Sequence, residues 1–206
     1  MKIAAAFLVL ASMSALAEEA KPAAKEPSPA EKEIMEKYMK AATPGPEHQQ
    51  MAKMAGKWKL QVTAWMAPGA PPMKSDGTAE FRTILGGRYL EQEVHGSMGD
   101  QPFEGLGLQG FDNVTQEHVA TWIDSMSTGM MLMRGRCAAG SKTCTMKGTT
   151  SDPVTGKEMP VTSTVTHMSD DNFKFEMFAS GPAGKRFKTL EIVYTRAGGT
   201  KTEAAK

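Results

Sequence analysis

The most constraining feature of this sequence is a change in hydrophobic period at Gly56. Beyond it, apolar and polar residues alternate in about ten short runs separated by turn-forming residues, a pattern typical of antiparallel strands. The first run places Trp58, Leu60 and Val62 on one face. A long meander would otherwise leave two exposed edges, so we predict that it closes. The predicted fold is an all-β, closed antiparallel up-and-down barrel of about ten strands.

The predicted strands follow one another with short connections. They span 58–66, 78–85, 88–96, 103–111, 118–125, 130–137, 143–150, 159–168, 173–179 and 187–196. One longer, Pro-rich loop is expected at 67–76. The interior of a barrel with about eight to ten strands is either filled by side chains or holds one small ligand.

The first residues of the chain read as an export signal. Lys2 is followed by an apolar stretch over 3–10 and by the small-residue site Ala15-Leu16-Ala17, so we predict a signal peptide at 1–17. A flexible linker is expected at 18–28, because it is charged and contains Ala and Pro. We therefore expect a secreted protein, located in the bacterial periplasm.

Two helices are predicted before the barrel, within 29–55. The first begins with a capping box at Ser28-Pro29-Ala30-Glu31 and ends near residue 42, and the second covers 47–55. The segment is either a plug for one barrel end or a partner-binding arm. The barrel domain is expected at 56–197 and a disordered tail at 198–206.

The chain has two cysteines, Cys137 and Cys144, on either side of a predicted hairpin tip. In an oxidising compartment we expect them to form a disulfide, worth about 2–3 kcal/mol in the chain-entropy model. Two free thiols or a redox pair are the alternatives, although the spacing is not the usual redox spacing of C-x-x-C.

Charge and hydropathy limit the partners. Lys and Arg number 24 and Asp and Glu 23, without a basic stripe, so we expect no nucleic-acid partner. No apolar run approaches the roughly 18–20 residues of a membrane span, so no transmembrane segment is expected. We expect a monomer.

The start and end of the barrel resemble those of the calycins, the lipocalins and fatty-acid-binding proteins. There a Trp of the first strand packs under a basic side chain from the end of the chain. Leu190, Ile192, Tyr194 and Arg196 share one face of the last predicted strand. The resemblance thus implies that Arg196 covers Trp58, a cation–π contact worth roughly 0.5–2 kcal/mol.

A closer resemblance covers about residues 51–196 and is to the calycin-like bacterial domain-of-unknown-function family 1579. The similar stretches are Trp65-Met66-Ala67-Pro68-Gly69-Ala70-Pro71, Ile84-Leu85-Gly86-Gly87-Arg88-Tyr89-Leu90, Gln101-Pro102-Phe103-Glu104-Gly105, Thr121-Trp122-Ile123-Asp124-Ser125-Met126 and Phe187-Lys188-Thr189-Leu190-Glu191. This family implies no activity and no catalytic residue. The N-terminal helices and the cysteine pair lie outside its pattern.

The sequence contains no strong motif for catalysis or for binding a cofactor or metal. The run at 105–110 matches G-x-G-x-x-G but leads into a turn and another strand rather than a helix, so we interpret its glycines as relief for barrel curvature. Four histidines are scattered, and we assign no metal site and no catalytic residue. His167 is the best inward candidate; it is a structural histidine or, alternatively, a haem ligand. Asp124 and Glu104 are solvated carboxylates or, alternatively, a lumen acid–base pair.

Seventeen methionines suit either a plain core, an adaptable ligand pocket or a copper site. The leading functional hypothesis is non-catalytic binding of a small apolar or amphipathic molecule in the lumen, without a cofactor. The alternatives are an enzyme using Asp124 or His167, and an interaction module acting through the 29–55 helices. Candidate lining residues are Trp58, Leu108, Trp122, Met131, Met133, Phe175 and Tyr194.

Overall fold

The computed structural model describes residues 26–138, 140–153, 155–180 and 184–198. The predicted signal peptide at 1–17, most of the predicted linker at 18–28 and nearly all of the predicted tail at 198–206 lie outside these residues. In chain order the elements are α1 (Pro29–Ala42), α2 (Pro46–Ala52), β1 (Gly56–Ala64), β2 (Met73–Ile84), β3 (Tyr89–Met98), β4 (Gln101–Asp112), β5 (Glu117–Asp124), β6 (Met131–Gly135), β7 (Thr143–Asp152), β8 (Lys157–Ser169), β9 (Asn172–Ser180) and β10 (Arg186–Arg196).

The ten strands form one closed barrel in which every neighbouring pair is antiparallel. Each strand pairs with the next along the chain, and β1 pairs with β10 to close the sheet, from Trp58 opposite Arg196 to Ala64 opposite Leu190. The predicted closed up-and-down barrel is therefore confirmed. We call the end at which β1 begins the capped end, because α2 packs there, and the opposite end the open end.

Several strand boundaries differ from the prediction. Strand β2 begins at Met73, inside the predicted 67–76 loop, because the polar residues 74–76 pair with 61–63 of β1. Strands pair through backbone hydrogen bonds, which need no apolar side chain. The polar character of residues 74–76 therefore led us to place the start of β2 too late. Strand β6 is shorter than predicted and ends at Gly135, which leaves Cys137 beyond it.

The two helices differ in how they pack. Helix α1 has the predicted capping box at Ser28 and Glu31 but no buried residue. Its apolar stripe is exposed, with Tyr38 at 72%. Helix α2 buries His48 and Met51 against the capped end. Of the two predicted helices, α2 packs on the barrel end as a plug would, whereas α1 does not.

Two side chains of the barrel hold the connection between the helices. The Asn113 amide donates hydrogen bonds to the carbonyl oxygens of Ala41 and Thr43, at 3.0 and 2.8 Å. The Arg88 guanidinium donates to the carbonyl oxygen of Ala42 at 3.1 Å. These bonds satisfy carbonyls at the end of α1 that lack partners within the helix.

The capped end is closed around Trp58, which is 2% exposed. Its indole Nε1 donates to the carbonyl oxygen of Met54 at 2.9 Å, and its ring packs edge-on to Phe173. The Arg196 guanidinium carbon lies 4.2 Å from the centre of the Trp58 ring. The same guanidinium donates to the carbonyl oxygens of Lys53 and Ala55, so it joins the end of the chain to the segment before β1.

The two cysteines form a disulfide, as predicted. Cys137 follows β6 and Cys144 belongs to β7, and their Cα atoms are 4.9 Å apart. This distance lies within the normal range for a disulfide. The bond joins β7 to the segment that follows β6 at the capped end.

Candidate functional site

The barrel encloses a cavity of about 1510 Å³. It extends from Met51 of α2, at the capped end, to Met66 and Met98 at the open end. Its wall consists mostly of the inward-facing side chains of the strands, because alternate residues of a strand face opposite sides of the sheet. The cavity therefore lies inside the closed sheet and is bordered by one of the two faces of each strand.

The cavity has two different walls. One, which we call the aromatic wall, is a tightly buried cluster on β1, β2, β3, β9 and β10. Its principal members are Trp58, Leu60, Phe81, Leu90, Phe173 and Tyr194. Of these, Trp58 and Leu90 are packed inside the cluster, and the other four border the cavity. The other, which we call the methionine wall, lies on β6, β7 and β8. Its methionines are Met131, Met133, Met146 and Met159.

Most of the predicted lining residues border the cavity. Those that do are Trp122, Met131, Met133, Phe175 and Tyr194. Trp58 requires a correction: it is buried in the core at the capped end and does not line the cavity, because neighbouring side chains cover it on all sides. Leu108 requires a correction: it is 37% exposed and lies on the outer face of β4. The neighbouring inward positions are taken by Gly105 and Gly107, whereas Leu106 and Leu108 face outward, so hydrophobicity indicated the wrong face in this part of the strand.

The glycines of the G-x-G-x-x-G run have a specific packing role. A Cβ atom at Gly105 would overlap the Trp122 ring, and one at Gly107 would lie 3.2 Å from it. The indole of Trp122 therefore lies flat over these two glycines. Its Nε1 donates to Asp124 Oδ2 at 2.8 Å, and Phe103 stacks on it. Gly105 and Gly107 thus make room for the Trp122 ring, and our interpretation of these glycines as relief for barrel curvature stays a prediction.

A few polar groups occur among the apolar side chains. The Gln92 amide donates to the hydroxyl of Tyr194 at 3.0 Å. Burial raises the pKa of Tyr194 to about 12, partly offset by this hydrogen bond. Ser163 is fully buried on β8, and its hydroxyl has no hydrogen-bond partner among the residues described.

The predicted acid–base groups do not converge. Asp124 ends β5 at the open end, whereas His167 lies near the end of β8 at the capped end. Glu104 lies outside the cavity, with a side chain that is 74% exposed. Burial lowers the pKa of His167, which favours a neutral imidazole, and its ring is 5.8 Å from that of Phe173. Haem ligation by His167 stays a prediction.

A polar cluster at the capped end escaped the sequence analysis. His118 lines the cavity, and its Nε2 is 3.6 Å from Glu47 Oε2 of α2. Burial lowers the pKa of His118, while Glu47 acts in the opposite direction. The Cys137–Cys144 disulfide borders the same part of the cavity. The signal in the sequence that could have indicated an inward His118 is the alternation along β5. Both faces of this strand carry large apolar residues, so the alternation did not identify the inward face.

Among the residues described, no helix is long and apolar enough to cross a membrane. Comparison with family models gives one match, to a "Protein of unknown function (DUF1579)", over residues 43–196. This range contains all ten strands and α2 but excludes α1.

Solved structures show the same kind of fold. The crystal structure of Rv2717c from M. tuberculosis is 14% identical, covers 76% of this chain and 100% of its own, and has a TM-score of 0.56. This likeness supports a common barrel fold and nothing further. A redesigned β-barrel, b11L5F_LGL, is 18% identical over 72% of this chain and 95% of its own, but its TM-score of 0.37 is too low to support an argument. No curated protein matches the chain.

Proposed function

Since the chain belongs to the DUF1579 family of proteins of unknown function, its role must be inferred from the barrel, and we propose that it binds a small apolar or amphipathic molecule there without catalysing a reaction. The observation that carries this proposal is the cavity of about 1510 Å³. Ligand pockets for small molecules are usually about 300–1,000 Å³, so this space is sufficient for a whole molecule.

The chemistry of the wall supports an apolar ligand body. Trp122, Phe103 and Phe175 add flat aromatic surface beside the methionines of β6, β7 and β8. Methionine side chains are unbranched and polarizable, so they can adjust to ligands of different shape. Burial of apolar ligand surface against such a wall would supply about 25 cal/mol per Å².

The polar groups support an amphipathic ligand. Gln92 borders the cavity among the apolar side chains, and Asp124 borders it near the open end. A few polar groups within a mostly apolar pocket generally fix the orientation of the ligand. We propose that the polar group of the ligand bonds to one of these side chains.

We further propose that the protein acts outside the cytoplasm, in the bacterial periplasm, as a monomer. The intramolecular disulfide is compatible with secretion, because disulfides persist in oxidising compartments. The proposed domain organisation is a barrel at 56–197 preceded by the 29–55 helices. In this arrangement α2 caps the barrel, whereas the exposed stripe of α1 is free for an interaction.

An enzyme using Asp124 or His167 is the weaker candidate. These two side chains lie at opposite ends of the barrel, so they cannot act together on one small substrate. An acid and a base must both lie within hydrogen-bonding reach of the reacting group.

The experiment is native mass spectrometry of protein purified without detergent, compared with two variants. Ala120 faces the cavity on β5, opposite Met133, so Ala120→Phe should fill part of the space. Leu132 is 45% exposed, and Leu132→Phe adds a ring to the outer surface as the matched control. We expect a bound molecule in the wild type and in Leu132→Phe, and at least a tenfold lower occupancy in Ala120→Phe.

A bound molecule retained equally by Ala120→Phe would place the ligand elsewhere. If the wild type carries nothing, the same three proteins should be titrated with an amphipathic fluorophore, anilinonaphthalene sulfonate. Absence of saturable binding by the folded wild type would then contradict the proposal.

A further inference from the structure

The strongest cluster of ligating atoms lies where the disulfide meets His118. One ring nitrogen of His118 and the sulfur atoms of Cys137 and Cys144 all lie within 4.8 Å of one another. The three residues come from different parts of the barrel wall: β5, the segment after β6, and β7. All three border the cavity.

This grouping has the composition of a metal site once the disulfide is reduced. Two thiolates and one imidazole are the protein ligands of a known class of zinc site, in which a water or another ligand takes the fourth position. Bond lengths of about 2.3 Å to sulfur and 2.0–2.1 Å to nitrogen place the ligand atoms of a tetrahedral site about 3.5–4 Å apart. A site of this geometry requires the two sulfur atoms to separate after reduction and the imidazole nitrogen to lie about 3.5–4 Å from each of them, and all three atoms already lie within 4.8 Å of one another.

The surroundings favour a cation. Glu47 Oε2 lies 3.6 Å from His118 Nε2, so α2 brings a negative charge to the cluster. Carboxylates beside a ligating imidazole commonly orient it and increase its basicity. Cys137 and Cys144 are both only half-buried, so a reductant can reach the disulfide.

We propose that reduction of the Cys137–Cys144 disulfide creates a site for Zn²⁺, formed by both thiolates and His118, in the cavity wall at the capped end. A dithiol reductant donates two electrons and two protons to the disulfide and becomes a disulfide itself. Zinc then replaces the two thiol protons, which pass to solvent, and a water in the cavity completes the coordination. A disulfide oxidant reverses the process: it takes up two electrons and becomes a dithiol, the Cys137–Cys144 disulfide re-forms, and zinc is released because disulfide sulfur atoms carry no negative charge.

The reduced site would add a function to the binding of an apolar molecule. A zinc ion in the cavity wall would present its open position to whatever occupies the barrel. The cavity would then accept a ligand with an anionic or nitrogen donor group only in the reduced protein. The binding of apolar molecules does not depend on this site, so either proposal can fail alone.

The experiment titrates Co²⁺, as a spectroscopic substitute for Zn²⁺, into the full chain before and after reduction by a trialkylphosphine. The phosphine takes an oxygen from water and becomes its oxide, while the disulfide becomes two thiols. We expect one Co²⁺ per reduced chain, with sulfur-to-metal charge-transfer bands and tetrahedral ligand-field bands that one equivalent of Zn²⁺ removes. The oxidised chain should bind none.

Three variants test the assignment. His118→Phe and His118→Gln should each weaken binding more than about 100-fold, because even changes to outer partners of a metal site cost 10–100-fold. His95→Phe removes an exposed histidine of the outer surface and should bind as the wild type does. Circular dichroism confirms that each reduced protein keeps its barrel.

Several results would overturn the proposal. They are the absence of Co²⁺ binding by the reduced wild type, unfolding of the barrel on reduction, and equal affinity in folded His118→Phe or His118→Gln. One metal per two chains would also overturn it, because the ligands would then come from different molecules.

Discussion

The aromatic wall and the methionine wall belong to the same barrel but are packed very differently. On the aromatic wall, Trp58, Phe81 and Phe173 contact one another edge-on. Met54 packs in the same cluster, and Arg196 covers the Trp58 ring. On the methionine wall, the buried cluster is small and its methionines border open space. The comparison indicates that the two sides of the barrel differ in role: the aromatic wall stabilises the fold, and the methionine wall provides an adaptable binding surface.

The largest expected effect tests this division directly. Trp58→Ala removes the ring, the hydrogen bond to Met54 and the contact with Arg196, so it should lower the free energy of unfolding by about 3–5 kcal/mol. Met133→Ala, on the methionine wall, should cost less than about 2 kcal/mol, since its neighbours already border a cavity. Urea unfolding of both variants measures the difference, and equal costs would remove the distinction between the walls.

The second prediction concerns pH and again the aromatic wall. Burial raises the pKa of Tyr194 from its ordinary value of 10.0 to about 12, so its hydroxyl stays protonated in the folded state after it ionises in the unfolded state. This contribution to stability is complete below pH 10 and is lost as the pH rises towards 12. The expected loss is about 2 to 3 kcal/mol.

The Tyr194→Phe variant is the control for this pH dependence. Unfolding in urea at pH 9 and at pH 11 should show a steeper decline for the wild type than for the variant. Parallel declines would mean that the Tyr194 hydroxyl is solvated and the aromatic wall is open at that point.

A smaller effect is expected where the two walls meet, at Trp122. A methyl group at Gly105 would overlap this ring, so Gly105→Ala should displace it and lower the unfolding free energy by about 1–3 kcal/mol. Gly129→Ala is the matched control, because its nearest neighbours lie 3.9 Å from the new methyl group. Near-ultraviolet circular dichroism would show the displaced indole, and an unchanged spectrum would disprove the packing of Trp122 on Gly105.

Sequence reasoning predicted the fold better than the site. Alternation along β1 indicated its inward face, because the large apolar residues of this strand occupy only one side. It failed at Leu108, whose strand has glycines on the inward side. Trp122 of β5 lies over glycines of β4 because of the register in which these two strands pair. The sequence alone does not specify that register.

The His118 cluster shows a second limit of sequence reasoning. His118 and Cys144 are brought together by the pairing of β6 with β5 on one side and β7 on the other, and Glu47 by the docking of α2. These contacts depend on the relative positions of separate elements, whereas the spacing of residues along the chain describes single elements. The exposed stripe of α1 is similar: its amphipathic pattern predicted a helix but not whether its apolar face would be covered.

The most direct test of the central claim is a crystal structure of the purified protein under xenon pressure. An apolar cavity that protein side chains do not fill takes up xenon, so we expect xenon atoms or an elongated ligand beside Met131 and Met133 of the methionine wall. The aromatic wall around Trp58 should take up none. A barrel in which side chains of the two walls meet and leave no space for xenon or ligand would contradict the account.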